Sequence, residues 1–269
     1  RHCGAGLAMR GWARALRRGW ASACAALLVA LAARAPTPSD DILAEFSDFE
    51  NYSGGPNYWD PRYQAQPKPF DWYEDYGDIR DIIREVIGGN RRARVLHAGC
   101  GNSLVPEAMY DEGYRRIVSI DTSAVVIKQM AERNKHRPGL HWVVADATHT
   151  SLNAGAFDMV LDKGLLDTFA CQSDSAAEVS VRAYLREAAR LLRPGGTLLC
   201  ISMAPPASRL TFFQEAGVTY DVRAVALPRR FPDFGPSYAY IARLAPKGRT
   251  RHPAAPRDSA LEGSRARSR

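Results

Sequence analysis

A short apolar strand that ends on two closely spaced glycines constrains the fold of this chain more than any other stretch. The strand covers residues 93–98 and runs into Gly99-Cys-Gly101, and a helix-like pattern follows. Glycine lets the backbone turn sharply and approach a ligand closely, because no Cβ is in the way. An acid, Asp121, ends the next strand about 20 residues later, a spacing that is typical of nucleotide-type sites.

Strands and helices alternate along the middle of the chain. Apolar strands are predicted at residues 93–98, 117–120, 141–145, 157–161 and 197–203. Such alternation indicates parallel strands joined by right-handed crossovers. Two later runs, Tyr220–Leu227 and Tyr238–Leu244, lack a full crossover helix between them and predict an antiparallel hairpin at one edge. The fold class is therefore α/β, with a doubly wound, Rossmann-like, seven-stranded and mostly parallel sheet and a C-terminal antiparallel hairpin.

The helices between the strands are predicted from apolar periodicity and from capping residues. They are expected at residues 78–87, 104–112, 124–134 and 176–192. Ser123 is the predicted cap of the third helix, since a serine side chain can accept from the first free backbone amides. Arg193-Pro-Gly-Gly196 is predicted as a turn before the fifth strand.

The charge is unevenly distributed and divides the chain into a body and two basic ends. The net charge is +7, but residues 1–35 hold six arginines and no acid, and residues 247–269 hold seven basic and two acidic residues. The middle is net acidic, so the overall charge does not indicate a nucleic-acid-binding body. We predict a disordered or targeting segment at residues 1–40, the folded domain at 41–246, and a basic disordered tail at 247–269.

The N-terminal segment leaves the location of the protein open. An apolar run at residues 21–33 follows Arg17 and Arg18 and is too short for a standard membrane-spanning helix, so no stable span is predicted. The five cysteines are widely spaced without a CxxC pair, which predicts neither a metal site nor a disulfide framework. They favour a reducing compartment. We expect a cytoplasmic protein, or an organelle-targeted or secreted one if residues 1–35 are a genuine targeting signal.

Acidic residues end three of the predicted strands behind the glycine turn. They are Asp121, Asp146 and Asp162, and Lys163 follows the last. Ligands of open parallel sheets bind at these strand ends. Asp121 can accept both hydroxyls of a ribose, and Asp146 can accept from an exocyclic amine such as adenine N6. Leu104 stands where a dinucleotide site has its third glycine, which favours S-adenosylmethionine, a cofactor without phosphates, over NAD.

Several motifs resemble those of a known family. They are Gly99-Cys-Gly-Asn-Ser103, Val126-Ile-Lys-Gln-Met130, Leu161-Asp-Lys-Gly164 with Asp167, and the aromatic Asp71-Trp72-Tyr73. The chain resembles the class I S-adenosylmethionine-dependent methyltransferases from about residue 48 to residue 244. Within that class it resembles the methyltransferase-like branch of the elongation factor 1-alpha lysine methyltransferases, of the N-terminal-domain type, and of the citrate synthase lysine methyltransferase.

This resemblance implies a set of cofactor contacts and two candidate catalytic residues. The implied contacts are Trp59, Tyr63, Trp72, Gly99, Gly101, Asp121, Thr122, Asp146, Ala147 and Lys163. The three aromatic residues would form a lid over the sulfonium, and Lys163 could pair with the methionine carboxylate. Asp162 or Asp167 could orient the substrate amine or take its proton. Both could equally be structural, the first bonding backbone amides and the second capping a turn.

The implied function is that of a protein-lysine N-methyltransferase that uses S-adenosylmethionine. Its implied partner is a protein substrate, with elongation factor 1-alpha as the candidate, and no specific nucleic acid is expected. A small-molecule methyltransferase on the same fold and a catalytically silent binding module remain alternatives. Three positions depart from the family pattern: His97 replaces a frequent acid, Leu165 replaces a threonine common in the branch, and Pro61 could shift the register of Tyr63.

Overall fold

The computed structural model describes residues 49–172, 174–228 and 235–245. The predicted terminal segments and the predicted limits of the folded domain, residues 41 and 246, lie outside these ranges. Within the ranges, no helix combines the length and the apolar character that crossing a membrane requires.

A seven-stranded sheet forms the centre of the described part of the chain. Its strands are β1 (Val95–Ala98), β2 (Ile117–Asp121), β3 (Leu140–Val144), β4 (Phe157–Lys163), β5 (Leu192–Ser202), β6 (Tyr220–Ala226) and β7 (Tyr238–Leu244). Their order in space is β3-β2-β1-β4-β5-β7-β6. The first five strands pair in parallel, and β7 is antiparallel to both β5 and β6. The predicted fold class is confirmed, with β7 lying between β5 and the edge strand β6.

Helices surround this sheet. The α-helices among the described residues are α1 (Pro56–Ala65), α2 (Tyr76–Val86), α3 (Val105–Asp111), α4 (Ala124–Arg133), α5 (Leu165–Ala170), α6 (Asp174–Leu191) and α7 (Pro206–Glu215). A 3-10 helix, Phe49–Gly54, precedes α1. Alternate residues of the central strands pack into different apolar clusters, because successive side chains of a strand point to opposite faces. Leu96 and Val160 pack with α6, whereas Val95 and Leu161 pack with α2.

The strand order reverses between β1 and β4, which are neighbours in space but not in sequence. The register pairs Ala98 with Ile120 of β2 and with Asp162 of β4. The segments that follow these three strands therefore leave the sheet at one level and at the switch point, where ligands of doubly wound folds bind.

Capping side chains define the start of two helices. Ser123 caps α4 as predicted, and its hydroxyl accepts a hydrogen bond from the Val126 amide at 3.2 Å. Helix α2 begins two residues before its predicted start, because Asp75 and Asp78 form a capping box that satisfies the amides of the first turn.

Two features of the fold differ from the sequence predictions. The segment predicted as a turn at Arg193–Gly196 lies within β5, where the pairing with β4 shifts register between Phe157 and Met159, so the turn is an irregularity inside one strand. The short helices α5 and α7 were not predicted. Helix α5 has only six residues, too few to show a helical period, and it starts after Gly164 in the left-handed conformation (φ 96°).

Candidate active site

A cavity of about 320 Å³ lies at the carboxyl ends of β1 to β4, beside the switch point. All the predicted cofactor contacts line it, namely Trp59, Tyr63, Trp72, Gly99, Gly101, Asp121, Thr122, Asp146, Ala147 and Lys163. Of the two candidate catalytic residues, Asp167 lines the cavity and Asp162 does not. Tyr52, Tyr73, His97 and Phe169 also line it without having been assigned to the site. The sequence held a signal for Tyr73, since it belongs to the Asp71-Trp72-Tyr73 motif.

The glycine turn after β1 is required both by its backbone conformation and by its neighbours. Gly99 and Gly101 have φ values of 59° and 49°, a region that L side chains rarely adopt. A Cβ on Gly99 would lie 2.8 Å from the Leu165 side chain, and a Cβ on Gly101 would lie 2.7 Å from the Tyr63 hydroxyl. The turn therefore brings bare backbone to the floor of the cavity and lets α5 and Tyr63 pack against it.

The carboxylate of Asp121 is fixed by backbone amides. Its two oxygens accept hydrogen bonds from the amides of Gly101 and Ser123, each at 2.9 Å. Burial raises the pKa of Asp121, and these amide donors oppose that rise. A carboxylate held in this way can still accept from further donors, such as the hydroxyls of a ribose.

Asp146 is positioned by the loop that follows β3. Its Oδ1 accepts hydrogen bonds from the amide and the hydroxyl of Thr148, both at 2.8 Å. The side chain is exposed at the cavity and can only accept while it is ionised. This chemistry suits an exocyclic amine such as that of adenine.

Lys163 and Asp71 join the sheet to the link between α1 and α2. The Lys163 ammonium lies 3.0 Å from the Asp71 carboxylate and donates to the Trp72 carbonyl at 2.9 Å. Burial works to raise the pKa of Asp71, but the Lys163 charge and donors from Ser103 and Leu104 outweigh it and hold the pKa below its usual value. Lys163 thus anchors Trp72 at the cavity, in addition to its predicted contact with a cofactor.

Asp71 also occupies the start of α3. It accepts from the Leu104 amide at 3.2 Å and from the Ser103 hydroxyl. In dinucleotide-binding folds, the free amides at this helix terminus receive the pyrophosphate. Here a carboxylate of the chain itself lies there, so the site does not suit a pyrophosphate.

Aromatic rings form one wall of the cavity. Trp59 and Tyr63 stack with centroids 5.7 Å apart, and Tyr52 packs edge-on against Trp72 at 5.6 Å. The indole N–H of Trp59 donates to the Tyr52 carbonyl at 3.1 Å. Pro61 lies inside α1 without displacing Tyr63, which stays buried and keeps its place against Trp59. The cluster provides an apolar wall beside Asp121 and Gly101.

Asp162 is positioned as a helix cap below the cavity. It is fully buried, and its carboxylate accepts from the amides of Leu165 and Leu166 at 2.9 and 3.1 Å. Burial and the nearby charge of Asp167 raise the pKa of Asp162 to about 7. This geometry favours the structural one of its two predicted roles.

Asp167 is surrounded by hydrogen-bond donors. One oxygen accepts from Arg209 and from the Ser202 hydroxyl, both at 2.6 Å, and the other accepts from the Tyr73 hydroxyl at 2.9 Å and from the Met203 amide at 3.2 Å. Four donors fill the lone-pair positions of this carboxylate, so none is left to face a substrate amine. Asp167 is therefore better suited to holding Tyr73 and Arg209 than to acting as a base.

His97 is a buried polar residue at the cavity that has an unsatisfied nitrogen. Its side chain is 1% exposed, and its Nδ1 has no hydrogen-bond partner within the described ranges. Burial, assisted by the Lys163 charge, lowers the pKa of His97 to about 3, so the imidazole is neutral at physiological pH. An orphaned buried nitrogen beside the glycine turn fits a ligand with polar groups at that end, as the amino-acid tail of S-adenosylmethionine has.

Comparisons with known proteins agree with this geometry. Residues 96–200 match the model of a family described as a methyltransferase domain. The eEF1A lysine and N-terminal methyltransferase of Bos taurus is 40% identical over 153 residues, which are 56% of this chain and 22% of that protein. EEF1A lysine methyltransferase 4 of Mus musculus is 32% identical over 174 residues, which are 62% of this chain and 68% of that protein. The chain thus spans only about a fifth of the bovine relative.

Solved structures share the fold. A Burkholderia thailandensis 1,6-didemethyltoxoflavin-N1-methyltransferase with bound S-adenosylhomocysteine superposes with a TM-score of 0.50 and 20% identity, over 79% of this chain and 93% of that one. The chain belongs to the class I S-adenosylmethionine-dependent methyltransferases, in the branch that contains the eEF1A lysine methyltransferases.

Proposed function

We propose that this chain transfers a methyl group from S-adenosylmethionine to a lysine side chain of a protein, and that elongation factor 1A is its substrate. The similarity to two eEF1A lysine methyltransferases supports the choice of substrate. One observation carries the cofactor assignment. Asp121 and the glycine turn are arranged for a nucleoside, while Asp71 fills the helix terminus where a pyrophosphate would bind.

The chain's own groups would hold each part of the cofactor. Asp121 would accept from the ribose hydroxyls, Asp146 would accept from the adenine amine, and His97 and the Gly99 turn would face the amino-acid tail. The bound cofactor would supply a methyl group on a positively charged sulfur, which is an activated leaving group. Because the leaving group is already activated, most of the rate enhancement has to come from positioning and from exclusion of water.

The aromatic wall provides for both of these needs. Trp59, Tyr63 and Trp72 remove water from one side of the cavity, and an aromatic face stabilises a nearby cation. A target lysine has to lose its proton before it can react, since an ammonium has no lone pair. The aromatic wall favours this loss, because desolvation disfavours the charged form of an amine.

Radiolabelled S-adenosylmethionine provides a direct test. The purified chain is incubated with it and with purified elongation factor 1A, and mass spectrometry then locates the methyl group. We expect label on a lysine of the factor. A second incubation uses a cell extract in place of the purified factor. Label that appears only in the small-molecule fraction of this extract would instead support the small-molecule alternative. Failure of the chain to bind S-adenosylhomocysteine would support a catalytically silent module.

A pair of aspartate variants tests the cofactor site itself. Asp121→Asn removes the charge that would receive the ribose hydroxyls, and hydrogen bonds to charged groups contribute roughly 1.5–3 kcal/mol. We expect S-adenosylhomocysteine to bind about 10- to 100-fold more weakly by calorimetry. The control is Asp81→Asn, since the Asp81 side chain is 79% exposed on α2 and does not line the cavity. Equal affinities of the two variants would contradict the ribose role.

We also propose that the protein is located in the cytoplasm. We further propose that its folded domain begins near residue 41 and ends near residue 246. The three cysteines within the described ranges, Cys100, Cys171 and Cys200, are free thiols, in keeping with a reducing compartment. Fluorescent fusions with and without residues 1–35 test the location. Redirection of the longer fusion to an organelle would contradict it, and limited proteolysis would map the limits of the domain.

A further inference from the structure

Tyr73 has an unusual backbone conformation at the wall of the cavity. It is the only non-glycine residue within the described ranges with a positive φ, at 63°. For a bulky residue this conformation is a genuine outlier and persists only where the surroundings enforce it. Such outliers cluster at functional sites, so the position of the Tyr73 side chain calls for an explanation.

Contacts on two sides fix the Tyr73 ring. Its hydroxyl donates to Asp167 of α5 at 2.9 Å, and its ring lies 3.4 Å from the place that a Cβ on Gly164 would take. Gly164 itself has a φ of 96°, so the chain is in the left-handed region on both sides of this contact. The contacts place the phenol between the end of β4 and α5, in the wall of the cavity.

The hydroxyl of Tyr73 uses its only proton to donate a hydrogen bond to Asp167. That carboxylate is held in turn by Arg209 and Ser202, each at 2.6 Å, and is buried. A phenol has one donor and two acceptor lone pairs. Because the donor points to Asp167, an incoming group meets this oxygen as an acceptor.

The cavity extends beyond the predicted cofactor contacts along α5. Phe169, Gln172 and Ser180 line this part, and no predicted cofactor contact lies on α5 or α6. Asp167 is midway along α5, so Tyr73 stands between the cofactor side at Gly99 and Lys163 and this outer part. Tyr73 therefore lines the cavity beside both parts, where an acceptor lying along α5 would meet the cofactor.

We propose that the Tyr73 hydroxyl oxygen accepts a hydrogen bond from the acceptor amine and directs the lone pair of that amine toward the methyl group. The inference rests on the proposed function. The amine arrives after losing its ammonium proton to solvent. Its lone pair forms the N–C bond while the C–S electron pair leaves with sulfur, and Tyr73 neither gains nor loses a proton.

Two cofactor analogues test this contact without a protein substrate. S-adenosylhomocysteine lacks the methyl group, and sinefungin carries an amine on the carbon that replaces the methylated sulfur. That amine occupies the region in which methyl and acceptor meet. Calorimetry with both ligands compares wild type, Tyr73→Phe and the control Tyr220→Phe. The control also loses one tyrosine hydroxyl with its hydrogen bond, to the Leu185 carbonyl at 2.8 Å, but outside the cavity.

The proposal predicts that the protein binds sinefungin more tightly than S-adenosylhomocysteine, and that this preference depends on the Tyr73 hydroxyl. Wild type and Tyr220→Phe should bind sinefungin about tenfold more tightly than S-adenosylhomocysteine, as expected for a hydrogen bond to a charged amine. In Tyr73→Phe the ratio of the two dissociation constants should approach one, with the affinity for S-adenosylhomocysteine unchanged. Methylation of elongation factor 1A by this variant should then show a lower kcat at an unchanged KM for the cofactor.

Each contrary result has a defined meaning. Equal affinities in wild type, or a preference that survives in Tyr73→Phe, overturn the proposal. Loss of both ligands from Tyr73→Phe alone would mean that the hydroxyl only holds the link between α1 and α2 in place, which also overturns it. If wild type fails to bind S-adenosylhomocysteine, the proposed function is refuted and this inference falls with it.

Discussion

Replacing Gly99 by alanine tests whether the glycine turn is required by packing as well as by backbone conformation. Gly99 has a φ of 59°, and a Cβ there would lie 2.8 Å from Cδ1 and 2.9 Å from Cβ of Leu165. Gly88, just after α2, has the same φ of 59° and nothing within 4 Å of its Cβ position. The two alanine variants therefore share the backbone strain and differ in the steric overlap.

The expected loss of stability follows from these two contributions. The left-handed conformation costs an alanine roughly 1–2 kcal/mol, partly offset by about 0.4–1 kcal/mol from a stiffer unfolded chain. Overpacking adds about 1–3 kcal/mol at Gly99 alone. Leu165 is the first residue of α5, so its Cβ can yield only if the helix moves. We expect the free energy of unfolding to fall by about 1 kcal/mol in Gly88→Ala and by about 2–4 kcal/mol in Gly99→Ala.

Urea unfolding followed by tryptophan fluorescence measures both changes, with stability extrapolated to water. Calorimetry with S-adenosylhomocysteine should show weaker binding in Gly99→Ala and unchanged binding in Gly88→Ala, because only the first variant moves a cavity wall. A difference in stability of less than about 0.5 kcal/mol between the two variants would refute the role of the steric overlap with Leu165.

Two further predictions concern buried ionisable groups. Lys163→Met should lower the free energy of unfolding by about 3–5 kcal/mol, because the Asp71 carboxylate keeps its buried place without its partner. Chemical denaturation measures this loss, and the double variant with Asp71→Asn should recover part of it; no recovery would argue against the pair. Burial lowers the pKa of His97 to about 3, so below pH 6.5 the unfolded chain binds a proton that the folded chain does not. The free energy of unfolding should therefore fall by up to about 1.4 kcal/mol per pH unit between pH 6 and 4, and His97→Gln should flatten this slope. If the free energy of unfolding depends on pH with the same slope in wild type and in His97→Gln, His97 is not held neutral in the folded chain.

The sheet and its strand-end residues could be predicted because their signals are local. Apolar runs marked the strands, and Gly99, Asp121 and Asp146 stood where parallel strands end. Because the strands are parallel, their carboxyl ends lie at one edge of the sheet, so no knowledge of distant contacts is needed to place them together. Helix α5 could not be predicted, because it shows no helical period of apolar residues. Its start depends instead on the Asp162 carboxylate and on the left-handed conformation of Gly164.

The contacts that hold the cavity together could not be predicted, because they join distant parts of the chain. Lys163 donates to Trp72 across 91 residues of sequence, and Arg209 reaches Asp167 across 42. Nothing in the sequence near Lys163 or Asp167 indicates that their charges are already paired. Sequence reasoning therefore placed both at the cavity but left their partners, and the roles those partners impose, to the structure.

The place of β7 in the sheet has a consequence for synthesis of the chain. β7 pairs with β5 along Thr197–Ser202 and with β6 on its other side, yet it follows both of them in the chain. Until residues 238–244 leave the ribosome, β5 has an open edge with unpaired backbone groups, and β6 has no neighbour. An open edge of this kind can pair with another chain. β7 therefore fills the gap between β5 and β6, and the nascent chain is open to misassembly at these two strands until β7 emerges.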